Sequence, residues 1–183
     1  MSEEAHMGKA RDIIDAMRSE FGVRLTYKDE SRLMKLVGRF LSVVTLGSFT
    51  EFMTHYVTTV GSTIYVPRVW MVMSDDERAM ILRHERVHLC QQRRYGRLLF
   101  SFLYLFPLLP VGLAYFRQRF EKEAYEEQMR AALEYGRDIT RPEERDFVVS
   151  QFTSSRYLWM WPFKTAVRHW YDATARRLLS EKL

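Results

Sequence analysis

Nineteen consecutive residues, Leu98 to Phe116, carry no charge. On length alone such a run can span a bilayer. Pro107, Pro110 and Gly112 interrupt it, and each disfavours one straight helix. Arg93, Arg94 and Arg97 precede the run, and Arg117 and Arg119 follow it. Basic residues at both ends, with breakers between them, keep the two ends at one polar surface. Tyr104 and Tyr115 suit the boundary between an apolar and a wet region. We read the run as a buried core element. The alternative is peripheral membrane contact through Leu98–Phe116.

Around this run the chain has what a folded domain needs. Apolar residues make up 47% of its 183 residues, enough for a core, and charged residues make up 28%, too ordinary a mix for disorder. A single domain over 1–183 is expected. The formal charge of +5 favours anionic partners. No nucleic-acid fingerprint accompanies it, so no specific nucleic acid is expected. The single cysteine, Cys90, rules out a disulfide framework and a four-thiolate zinc site. It suits a reducing compartment and reads as a small core residue. The first ten residues are polar and acidic, without the apolar stretch of a secretory signal. The expected location is cytoplasmic, with membrane association left open.

Local patterns divide the chain into elements. Ile13, Ile14, Met17 and Phe21 have helical spacing, and Gly22 stops that helix. A second helix is expected over Ser31 to Leu41, with Leu33, Leu36, Val37 and Phe40 on one side. Thr54 to Val60 and Thr63 to Val66 are rich in Thr, Tyr and Val, and Gly61-Ser62 joins them, which reads as a hairpin with a type II′ turn. Ser74-Asp75-Asp76-Glu77 is a capping box and starts a helix that should run to Tyr95 before Gly96. Further helices are expected over Arg117 to Tyr135, Glu143 to Phe152 and Lys164 to Leu179.

The chemistry lies in His84-Glu85-Arg86-Val87-His88. Two histidines four residues apart leave the same face of a helix, one turn apart, and can hold one Zn²⁺. Met80, Ile81, Val87, Gln91 and Tyr95 share that face, so both imidazoles should point inward. Glu85 is turned by about 100° from His84. That suits a general base acting on the attacking water better than a metal ligand.

These residues resemble the zincin metallopeptidases, in which an antiparallel strand precedes the helix carrying H-E-x-x-H. No third histidine follows His88 at short spacing, so the resemblance is to the gluzincins, where a later helix supplies a glutamate. Phe120-Glu121-Lys122-Glu123-Ala124 is similar to their E-x-E-A stretch. The match implies Glu121 as third ligand, with Glu123 as the alternative. Those families carry an aspartate four residues after that glutamate, supporting a histidine; this chain has Tyr125 there.

The expected fold is therefore α+β: a mainly helical zincin-like domain with a small antiparallel hairpin before the H-E-x-x-H helix. Its motif region spans 54–135, and a helical extension spans 142–183. The expected function is that of a zinc-dependent hydrolase, a metallopeptidase acting on a peptide or protein. Glu85 would be catalytic, and His84, His88 and Glu121 would hold the metal. The alternative is a non-catalytic peripheral membrane or protein-binding helical module, with a structural metal site or none.

Overall fold

A computed structural model describes residues 8–44, 50–105, 114–154 and 160–182. Pro107, Pro110 and Gly112 lie outside them. The elements, in order, are α1 (Lys9–Phe21), β1 (Arg24–Tyr27), α2 (Arg32–Val44), β2 (Thr58–Val60), β3 (Thr63–Val66), α3 (Asp75–Tyr95), α4 (Arg97–Leu105), α5 (Tyr115–Glu134), α6 (Pro142–Thr153) and α7 (Lys164–Lys182). Short 3₁₀ turns follow β1, α2 and β3. The fold is mainly helical α+β, as expected. Within α3 the chain divides into two compact units, Met1–Cys90 and Gln91–Leu183.

In the first unit, α1 turns Ala10, Ile14 and Met17 inward. Gly22, at φ 65°, ends it and donates its N–H to the Arg18 carbonyl. The opposite end is capped from a distance. Asp75, in the first turn of α3, accepts hydrogen bonds from the backbone N–H groups of Lys9 and Ala10. Those are among the donors that a helix start leaves without intrahelical partners.

The sheet runs in the order β1-β3-β2. β2 pairs antiparallel with β3, Thr59 opposite Ile64. Gly61 takes φ 59° at the first turn position, where a residue with a side chain would be strained. The strand before the turn is shorter than the spacing predicts. It begins at Thr58, because residues 50–53 form a 3₁₀ turn. β1 lies parallel to β3, with Leu25 opposite Ile64, so the sheet is mixed rather than a plain hairpin. Parallel neighbours need a crossover, and α2 lies in that connection. β3 is central, and its Ile64 and Val66 are fully buried.

In the second unit, α5 carries Phe120, Ala124, Tyr125 and Met129 on its buried side. Phe152 of α6 is fully buried and packs its ring 5.5 Å from that of Tyr125. The Tyr171 hydroxyl of α7 donates to the Ile139 carbonyl at 2.9 Å, and burial is the main reason its pKa is raised.

Two expectations need correction here. Cys90 is exposed, not a core residue: it faces away from the buried side of α3. The described part of the uncharged run is also not a buried core element. Residues 97–105 form α4, in which only Phe100 is fully inside, while Leu98, Leu99, Phe102 and Leu105 are exposed. Nine residues form a single short amphipathic helix with room for one inward ridge. Among the described residues, no helix is long and apolar enough to cross a membrane.

Candidate metal centre

α3 begins where its cap dictates. Ser74 and Glu77 bond reciprocally: the Ser74 N–H donates to Glu77 Oε2 at 3.0 Å, and the Glu77 N–H donates to Ser74 Oγ at 3.3 Å. The helix then runs unbroken to Tyr95, and Gly96 follows at φ 79°. This fixes the rotation of everything between. His84 and His88 are both buried, with ring centroids 5.0 Å apart and planes at 78°.

Glu85 is buried as well. A buried carboxylate needs compensation. The Thr59 hydroxyl of β2 supplies one hydrogen bond, at 2.6 Å to Oε2. Lys28, in the 3₁₀ turn after β1, supplies a neighbouring charge. Its side chain is wholly buried. The Nζ donates to the Phe52 carbonyl at 2.7 Å and lies 3.6 Å from the centre of the Phe52 ring. Burial pushes the Lys28 amine down to about 7, and the Glu85 charge opposes that fall.

On α5, Glu121 is buried and accepts a hydrogen bond from the Tyr104 hydroxyl of α4. Tyr104 therefore has a more specific task than the interfacial one its type suggests. Glu123 is exposed and is held by the Gln91 side-chain amide at 2.9 Å. The same amide donates to the Phe120 carbonyl at 3.1 Å. Tyr125, at the position where the gluzincins carry an aspartate, is a core residue beside Phe152.

One ligand atom each from His84, His88 and Glu121 lies within 4.8 Å of the others, and all three residues are buried. Among the described residues, no other carboxylate, cysteine or histidine belongs to this group. Glu123 is outside it, and so are the exposed His55 and His169.

No family model, curated protein or solved structure matches this chain. The site's meaning rests on its own chemistry.

His84, His88 and Glu121 could hold a metal ion. Tetrahedral donors about 2.0–2.2 Å from a zinc ion stand roughly 3.3–3.6 Å apart. The three donor atoms, all within 4.8 Å of one another, lie at separations of that order. Two imidazoles and one carboxylate are a ligand set of catalytic zinc sites, which use three protein donors and keep one position open. The Tyr104 hydroxyl, donating to Glu121, restrains the orientation of that carboxylate.

Sequence reasoning missed three residues of this region. Thr59 reads as an ordinary strand residue. Lys28 follows a strand too short to recognise. Tyr104 sits in an uncharged run with no periodic link to Glu121. Only Thr59 left a usable signal, a hydroxyl residue in the hairpin that precedes the motif helix.

Proposed function

We propose that this chain is a zinc-dependent hydrolase, a metallopeptidase whose ligands are His84, His88 and Glu121. The observation that supports this most is the buried grouping of those three donors, with Glu85 of the same helix buried and hydrogen-bonded beside them. Zinc bound there would supply a Lewis acid and bring a water's pKa to about 7.

The chain's own residues would do the rest. Glu85 takes the proton of the attacking water and returns it to the leaving amine. Thr59 holds the Glu85 carboxylate in place while the proton is in transit. Tyr104 fixes Glu121, so the ligand carboxylate does not compete as a base. Lys28, buried near Glu85, interacts electrostatically with that carboxylate. β2 is an edge strand of the sheet. An extended peptide adding to that edge would lie beside Thr59, the residue that holds the base. We place the protein in the cytoplasm, where its one cysteine, exposed on α3, stays reduced.

The test is metal content and turnover measured together on the purified chain. Zinc should be stoichiometric, and adding it to chelator-treated protein should raise the thermal midpoint. Saturation at 100 times Kd stabilises by about 2.7 kcal/mol. Glu85→Gln should keep the zinc and lose hydrolysis of an unstructured protein substrate. A chain without stoichiometric metal, and without a thermal response to zinc, would sink the proposal.

A further inference from the structure

α2 presents an apolar stripe outward. Leu33, Leu36, Phe40 and Val43 are all exposed, Val43 by 74%. At 100° per residue they fall within an arc of about 80°. The helix meets its own unit on a different side. Met34 is buried there, and Gly38 sits so close that a side chain would meet Met53 at 3.1 Å. The stripe is thus the side that the unit leaves uncovered.

Arg32, Lys35 and Arg39 border the stripe along one edge. All three are exposed, α2 contains no acidic residue, and none of the three makes an ion pair among the described residues. Elsewhere in the chain arginines commonly engage acidic partners, as Arg68 does with Asp29 and Glu30. A stripe of large apolar residues, edged by unneutralised cations, is complementary to a surface that is apolar beneath and anionic on top.

We infer that α2 docks in the plane of an anionic lipid bilayer, its Leu36–Phe40 side sunk among the acyl chains and its basic edge on the headgroups. Helices of this type bury their apolar face about 5–10 Å deep, while long basic side chains reach back to the phosphates. The second unit carries the same chemistry independently. α4 exposes Leu98 and Leu105, by 89% and 77%, has no acidic residue and is led by the exposed Arg94 and Arg97. No transmembrane segment is implied, since neither helix is long enough to cross. The inference does not depend on the hydrolase proposal and survives its failure.

The experiment is co-sedimentation of the full chain with vesicles of phosphatidylcholine, alone or mixed with phosphatidylglycerol. The parent should partition onto the mixed vesicles, and more weakly as salt rises. The double variant Lys35→Gln/Arg39→Gln should lower that partitioning roughly thirtyfold, from two lost cation–headgroup interactions. Leu36→Ser/Phe40→Ser should lower it by about tenfold or more. Both variants change exposed residues, and circular dichroism should show unchanged helix content. Equal binding to both vesicle types, or none, overturns the inference. So does parental binding by the α2 variants, with loss only in Leu98→Ser/Leu105→Ser. A concentration-dependent dimer that Leu36→Ser/Phe40→Ser abolishes, in a parent that ignores vesicles, would assign the stripe to a second copy and overturn it too.

Discussion

The Thr59 hydroxyl on edge strand β2 donates to the Glu85 carboxylate at 2.6 Å. Strand and helix are therefore joined at the one side chain proposed to move protons. Thr59→Val keeps the shape and strand preference of residue 59 but removes the donor. Glu85 then lacks a hydrogen bond while buried, at a cost of about 1–3 kcal/mol. Turnover should fall by about tenfold or more, with zinc content unchanged. Steady-state kinetics beside metal analysis reads both, and full activity in Thr59→Val would rule out the positioning role.

Tyr104 and Glu121 form the corresponding pair on α4 and α5. Tyr104→Phe leaves the ring in place and removes only the hydroxyl. Zinc affinity should drop by about tenfold to a hundredfold, the usual effect of losing a hydrogen bond to a metal ligand. Competition with a chromophoric chelator measures this directly. An unchanged affinity would mean that Tyr104 does no more than pack.

Lys28 makes stability depend on pH in a definite direction. Its amine falls to about 7 in the fold, from an ordinary 10.5. The unfolded chain thus holds this proton more tightly than the folded one. The cost of charging the amine is fully present below pH 7 and is relieved as pH rises from about 7 towards 10.5. The full effect is on the order of 3–5 kcal/mol. Lys28→Met removes it, so the parent's urea midpoint should climb relative to the variant's between about pH 6 and pH 9. Parallel profiles would contradict the assignment.

The cap of α3 is the simplest handle on the site's framework. Ser74→Ala removes the acceptor for the Glu77 N–H and should cost about 1 kcal/mol. For a chain of this size that lowers the thermal midpoint by about 2–4 °C. Calorimetry of the zinc-free and zinc-loaded forms should show the same loss in both, since the cap lies nearly three turns before His84.

What the sequence made legible is what short-range chemistry specifies. Ser74, Glu77 and Gly96 mark the ends of α3, and the structure begins and ends the helix there. Gly61 with its flanking β-branched residues located the β2–β3 turn. The spacing of Glu121 and Glu123 on one helix was enough to send the first inward and the second outward. The misses are long-range or short. β1 is four residues, and its partner β3 lies about 40 positions away, so no periodicity reveals the pairing. Lys28 looks like a surface lysine until the turn after β1 carries it beneath Phe52. Leu98 to Leu105 has the composition of a core and the exposure of a docking face. Composition reports how apolar a segment is, not whether the rest of the chain has surface left to cover it.

A sealed amine is also a clock. Reagents that acylate lysines reach the other lysines from solvent, but Lys28 has no solvent face and is bonded to the Phe52 carbonyl. It reacts only when the segment around it opens. The rate at which Lys28 becomes labelled therefore counts openings of the very structure that shelters Glu85, and anything that steadies this region should slow that label while leaving the other lysines unaffected.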